Sequence, residues 1–347
     1  MTIQKKFLEF NKNIHLTREE SVYSDARKKD DSILAKIKER FKEEGYPVVS
    51  DFIQGSLSTF TAIKEQSEDF DIDRGIVIDA DKAPDNPLKP KEVILDILEQ
   101  RGFENATIKK PCVTADYKND NLHIDIPIYK RDSYGNYQLA VGKSNSTKEW
   151  SDSDPIGLRD WINDFDMYLY YKDEHRDQFR RLVRYIKKWR NHQFSDSIKK
   201  KIFSIGLTVM FKEQFQPSIN DEGIADDVQA LRDTINAILR ADYFIPQDDN
   251  KYKIRIDLPV TPYRDIYDGK GSSERGTQLY NRLNRLVDKL NEVSDPSMDL
   301  SKQCEIMNKQ FGDQFPTVAV TEKNFTESND SSNIFLSAGI VGTSNGA

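Results

Sequence analysis

The sequence predicts an α/β (α+β) protein in two lobes, a mixed sheet with flanking helices followed by a helical lobe, with a cleft between them. Three observations predict it. Short runs rich in β-branched and aromatic residues concentrate before about residue 150. Segments with apolar residues at helical spacing dominate after it. The 347 residues, 37% hydrophobic and 31% charged, suffice for two lobes with a substantial core.

In chain order, residues 16–45 (LTREESVYSDARKKDDSILAKIKERFKEEG) are charge-rich with apolar side chains at helical spacing, and Gly45 marks a stop. They read as one long amphipathic helix. PVVSDFI is a short strand, and Gly55-Ser56 opens a helix running toward Lys64. FDIDRGIVID is a second strand, ADKAPDNPLKP a Pro-rich loop, and KEVILDILEQRG a helix ending at Gly102. ATIKKPCVTADY, NLHIDIPIYKRD and GNYQLAVG form three antiparallel strands, the last two joined by the turn SYGN. Beyond 150, DPIGLRDWINDF, HRDQFRRLVRYIKKWRNHQ, KIFSIGLTVMFKEQF, DDVQALRDTINAILRA and GTQLYNRLNRLVDKLNEVSD are helical, interrupted by DYFIPQ and KYKIRIDLPVTPYRDIYD. The expected division is 1–150 for the sheet lobe with its long N-terminal helix, 151–321 for the helical lobe, and 322–347 for a polar, aperiodic, mobile tail.

Composition narrows the function. No apolar run approaches the roughly 20 residues that span a bilayer, and MTIQKKFLEFNKNIHL lacks the apolar core of a signal peptide. The two cysteines, Cys112 and Cys304, lie far apart without a Cys/His cluster, so neither a disulfide framework nor a structural zinc site is expected. A cytoplasmic protein follows, a monomer by default. The net charge of −7 argues against an extended nucleic-acid surface. It leaves room for a small anionic substrate held by a few lysines and a metal.

The chemistry concentrates in QGSLSTFTAIKEQSEDFDIDRG. Residues i and i+2 of a strand face the same way, so Asp71 and Asp73 project together. Such a pair repels itself unless a cation sits between, and Mg²⁺ favours one or two carboxylates plus substrate phosphates. Gly55-Ser56, at a strand-to-helix junction, offers exposed backbone N–H groups, close approach and a hydroxyl to a triphosphate. An isolated Asp-x-Asp is more often a solvated strand; the preceding Gly-Ser and the apolar run Ile76-Val77-Ile78 count against that here. Asp125 in NLHIDIPIY is a third carboxylate. If its strand lies beside the first, the three converge as in two-metal, in-line displacement at phosphorus.

The order G-S, D-x-D, D resembles the polymerase-β-like nucleotidyltransferases. QGS-x4-TAI (54–63), FDIDRG (70–75), HIDIPIY (123–129), SDPIGLRDW (153–161), LVRYIKKW (182–189), FSIGLTVM (203–210) and FGDQFP (311–316) narrow this to the bacterial cyclic GMP–AMP synthase/DncV-like nucleotidyltransferases, the CD-NTases. The resemblance covers residues 15–321. It implies a nucleotidyltransferase core with an oligoadenylate-synthase-like helical lobe. It also implies an enzyme joining nucleoside triphosphates (ATP, and among GTP, UTP and CTP) into a cyclic di- or trinucleotide. The product would activate an operon-encoded effector in the antiphage system CBASS. The cofactor would be Mg²⁺ or Mn²⁺, two ions per site, on Asp71, Asp73 and Asp125. By the same resemblance Ser56, beside Gly55, contacts the donor triphosphate, and Lys187 and Ser204 grip the phosphates from the second lobe. Phe60 departs from the family's common small residue, and Arg74 from its common apolar or acidic one; either could alter nucleotide preference. The tail, ending GIVGTSNGA, looks like those that some operons of this family join to targets by ubiquitin-like ligation.

Other residues weigh less. Lys187 lies at the edge of the apolar arc Phe179, Leu182, Val183, Ile186 and Trp189, whereas Arg184 and Lys188 read as solvated charge. His123 shares a face with Asp125 and is expected to be a hydrogen-bonded neighbour; Asp125 is the better proton acceptor. His15, His175 and His192 form no metal spacing. Asp69 and Asp79 read as solvent carboxylates. Tyr263, Tyr267 and Phe244 are candidates to stack on a base, and SIKKKI (197–202) reads as a solvated turn. A linear-oligonucleotide or end-modifying transferase is the alternative enzyme. A degenerate nucleotide-binding sensor is the non-enzymatic alternative.

Overall fold

The computed structural model describes residues 2–17, 19–64, 70–117, 122–269 and 271–318. Two helices open the chain, α1 (Ile3–Ile14) and α2 (Ser21–Glu43), where one had been expected. Thr17 donates from its N–H and hydroxyl to the Glu20 carboxylate just before α2 starts, and Gly45, at φ +88°, turns the chain just after it ends.

The sheet comprises β1 (Val48–Gln54), β2 (Phe70–Asp79), β3 (Thr107–Ile108), β4 (Val113–Tyr117), β5 (Leu122–Ile126), β6 (Ile128–Arg131), β7 (Tyr137–Val141) and β8 (Glu149–Ser153). Its axis is β2. β1 runs antiparallel along β2, while β5 and β6 follow one another parallel to it in a single register, Asp73 opposite Asp125 and Ile78 opposite Lys130. Between them Pro127 has no N–H to give, but its carbonyl accepts from Ile76 N at 3.0 Å. β4 pairs antiparallel with β5, β7 with β6, and β8 with β7. The three expected strands are therefore present, with NLHIDIPIYKRD broken in two at the proline. β8 carries the sheet past residue 150, where helix had been expected to begin.

Alternation along β2 sorts its residues. Ile72, Ile76 and Ile78 are buried in a core with α2 and α4 (Leu88–Gln100), while Val77 belongs to a small cluster on the other face. Asp71 and Asp73 share the face of Val77.

The one-turn α3 (Gly55–Ser58) replaces the longer helix expected toward Lys64. The Ser58 and Thr59 hydroxyls bond back to the Gly55 carbonyl, and Phe60 then turns left-handed at φ +58°.

The second lobe contains α5 (Pro155–Asn163), α6 (Lys172–Gln193), α7 (Asp196–Lys199), α8 (Ser204–Glu213), α9 (Asp227–Arg240), a hairpin of β9 (Phe244–Pro246) and β10 (Tyr252–Ile254), α10 (Ser272–Val293) and α11 (Leu300–Phe311). Their apolar faces meet around Phe179, Tyr185, Trp189, Leu207, Leu231 and Leu283. Phe7, Phe10 and Ile14 of α1 are buried in this same core, so α1 packs with the helical lobe although it precedes the sheet. No helix among the described residues is long and apolar enough to cross a membrane.

Candidate active site

A cavity of about 740 Å³ opens between the lobes. Gly55, Ser56, Asp71 and Asp73 line it from the sheet side, and Lys187 and Ser204 from the helical side. Asp125 is not part of the lining but stands directly across the ladder from Asp73.

Gly55 is where chain geometry is tightest. It sits at φ +67°, and a Cβ there would come within 2.2 Å of Asp73 Oδ2. Only glycine gives both that conformation and that approach. Asp125 Oδ1 accepts from the Thr114 hydroxyl and from Lys109 Nζ, the latter at 3.3 Å. Burial, then the charges of Asp125 and Asp71, push the Asp73 carboxyl up to about 7. The Asp71, Asp73 and Asp125 carboxylates thus repel one another. Oxygen-only donors of that charge fit a hard divalent cation. Among the described residues no three His, Cys, Asp or Glu side chains are gathered closely enough to hold a metal; Asp125 is engaged with Thr114 and Lys109.

On the helical side, Lys187 is buried and donates to the Thr61 carbonyl (3.1 Å) and hydroxyl (2.9 Å), so it braces the loop after Ser56. Burial and then the charges of Arg190 and Arg184 lower it to about 7, with Asp73 pulling the other way. Sequence reasoning passed over Arg190, which lines the cavity one turn after Lys187 and donates to Ser204 Oγ (2.8 Å) and the Ile202 carbonyl (2.9 Å). Its three-residue spacing from Lys187 was the available sign.

Two expectations about basic residues fail. Arg184 is not solvated: it is buried, donating to the Phe60 carbonyl and to Asn11. The apolar arc of α6 identifies the core face but not that α1 and the Phe60 loop cover its flank. Arg74 cannot act on a nucleotide in this cavity, because strand alternation turns it to the opposite face from Asp71 and Asp73. There it donates to Asp30 (3.0 Å), Asp31 (3.1 Å) and Asp51 (2.8 Å).

Of the stacking candidates, Tyr267 is core, its hydroxyl accepting from Phe203 N at 2.9 Å, and Phe244 packs edge-on against Tyr280. Tyr263 is exposed, and its loop reaches the cavity through Leu258, Val260 and Thr261 instead. His123 Nδ1 stands 3.5 Å from Asp116, and Asp79 accepts from Asp81 N. His175 stacks on Tyr168, and His192 lies against Gly312. Both cysteines are free and buried. Asp69 and the tail lie outside the described residues.

Residues 50–129 match the model of the cyclic GMP-AMP synthase DncV-like nucleotidyltransferase domain. A cyclic GMP-AMP synthase of Escherichia albertii is 29% identical over 217 residues, 58% of this chain and 45% of that protein. The chain therefore spans less than half the length of that curated relative. The fold is shared with the Bradyrhizobium diazoefficiens CD-NTase CdnG in complex with GTP (TM-score 0.65, 16% identity, 90% of this chain and 96% of that one). It is shared also with E. coli MS115-1 CdnC with ATP (TM-score 0.60, 16% identity, 90% and 98%). The DncV-like nucleotidyltransferase match is thus seated on the strands from β1 to β6, and the two-lobed fold around them is the one these CD-NTases share.

Proposed function

We propose that the protein joins nucleoside triphosphates into a cyclic di- or trinucleotide and releases pyrophosphate. The observation that carries this reading is Asp73 facing Asp125 in register, with Gly55 against Asp73, beside a cavity walled by both lobes. Solved relatives hold GTP, ATP and a linear pppA(3′,5′)pG intermediate, which supports nucleotides as ligands here.

With a triphosphate adding its own oxygens, Asp71, Asp73 and Asp125 would hold Mg²⁺ or Mn²⁺, two ions, which would supply charge neutralisation at the reacting phosphate. Gly55 and Ser56 receive the donor triphosphate, and Lys187 and Ser204 hold it from the helical lobe. A ribose hydroxyl of the second nucleotide attacks the α-phosphorus. The new P–O bond forms as the bond to pyrophosphate breaks, and Asp125 accepts the hydroxyl proton. A second attack closes the ring. The division into a nucleotidyltransferase core, a helical lobe and a tail at 322–347 belongs to this reading, as do a cytoplasmic setting, a monomer, an effector that reads the product in antiphage defence, and ligation of the tail.

The test incubates protein with four labelled nucleoside triphosphates and Mg²⁺ or Mn²⁺, then adds phosphatase. A phosphatase-resistant product that disappears in Asp73→Asn is expected, turnover falling about 10³-fold or more while the far-UV spectrum is unchanged. Only phosphatase-sensitive chains would make it a linear-oligonucleotide enzyme. Full turnover in Asp73→Asn would remove the carboxylates from the chemistry.

A further inference from the structure

The loop behind Gly55-Ser56 holds a backbone conformation that its own side chain opposes. Phe60 sits at φ +58°, in the left-handed region that a bulky residue seldom adopts without external support. The support comes from one face of α6. Arg184 Nη1 donates to the Phe60 carbonyl at 2.5 Å, and the Arg180 guanidinium lies 4.4 Å from the centre of the Phe60 ring. Lys187 takes the next residue, Thr61, by its carbonyl and its hydroxyl. Positions 180, 184 and 187 recur at helical spacing, so one helix face grips the loop.

Both arginines are themselves anchored. Arg184 Nε donates to Asn11 Oδ1 of α1 (2.8 Å), and Arg180 Nη2 to Asn163 Oδ1 of α5 (3.0 Å). The loop is closed in turn by Thr61 N donating to the Ser56 carbonyl at 2.9 Å. The conformation of residue 60 therefore sets how Ser56 and the Gly55 backbone face the cavity. Phe60, Arg180 and Arg184 do not line that cavity, whereas Gly55, Ser56 and Thr61 do.

We propose that Arg184 and Arg180 are positioning residues: by holding Phe60 left-handed they fix the Gly55–Thr61 turn in the shape that receives a triphosphate. Nucleotide affinity then depends on contact between the lobes. This inference rests on the nucleotidyltransferase reading. It assigns the arginines no contact with substrate.

Glycine adopts a positive φ without help, and that makes the claim testable by rescue. Calorimetric titration with Mg²⁺ and each of the four α,β-methylene nucleoside triphosphates would compare wild type, Arg184→Met, Phe60→Gly and the double variant. Arg184→Met is expected to weaken binding about tenfold, Phe60→Gly to stay within about twofold of wild type, and the double variant to regain most of the loss. A role for Arg184 in folding alone would leave the double variant as weak as the single one. Equal affinity in Arg184→Met would overturn the inference, as would a double variant no tighter than Arg184→Met. Should Arg184→Met fail to fold, the same cycle on Arg180→Met, at a half-buried residue, decides by the same criteria. Wild type that binds none of the four analogues would instead sink the nucleotide reading, and the inference with it.

Discussion

At the scale of single residues, charge and backbone geometry make the sharpest demands. His15, at the end of α1, is lowered to about 4, by burial first and then by Arg184 and Lys64, with Glu20 opposing. Between its ordinary value near 6.5 and 4, an unfolded chain takes up a proton that the folded one refuses. Stability should therefore fall as pH drops through that window, and His15→Gln should flatten the fall in urea midpoints measured from pH 7.5 to 4.5. Asp73 shifts the other way. Its raised carboxyl holds a proton below about 7, and a bound cation must displace it. Mg²⁺ should raise the thermal midpoint more at pH 8 than at pH 6, and in Asp73→Asn that increment should vanish. Gly55→Ala should cost about 1–3 kcal/mol in urea unfolding, from its φ of +67° and its approach to Asp73. The Asp-x-Asp pair was legible because a strand's period of two leaves no choice of face. Arg184 was not, because a helical wheel shows which side is apolar and says nothing of what covers its margin.

At the scale of elements, a cluster of charges clamps α2 to the sheet. The Arg74 guanidinium reaches Asp30 and Asp31 on α2 and Asp51 on β1, and Arg27 and Lys38 join the same cluster. Arg74 and Asp30 are both buried. Arg74→Met would leave buried Asp30 with Arg27 as its remaining cationic partner among the described residues and should destabilise by about 1–3 kcal/mol in urea unfolding. Asp30→Asn in that background should recover part of the loss. Most elements were legible from periodicity: α2, α4, α6, α9 and α10, and the strands β2, β4 and β7. The exceptions have local causes. Pro127 splits one apparent strand into β5 and β6, which still share an edge of β2. Hydroxyl back-bonding at Ser58 and Thr59 cuts α3 to one turn. β8, EWSDS, has no apolar alternation and exists only because β7 offers it a partner.

At the scale of the molecule, two cores face each other across a cavity of about 740 Å³, and sequence order does not respect the division. The helical core includes Phe7, Phe10 and Ile14, each fully buried. Their burial is worth roughly 5–9 kcal/mol together, comparable to the whole stability of a domain. Deleting residues 2–14 should therefore strip hydrogen-exchange protection from α6, α9 and α11 while β2, β4 and β5 keep theirs. No sequence period could announce this, since the partners of α1, on α6, α9 and α11, lie more than 150 residues further along the chain.

That arrangement also has a consequence in time. Asn13 and Gln314 exchange hydrogen bonds between side chain and main chain in both directions, and Phe7 packs on Phe311 and Phe315. During synthesis the sheet and its helices, α2 through β8, can close as soon as they leave the ribosome. The first helix cannot. At about 5–20 residues per second it waits roughly 15–60 s for the last segment of its core. For that interval the apolar face of the first helix hangs from the nascent chain beside a folded neighbour, uncovered on the side that Phe311 and Phe315 will close.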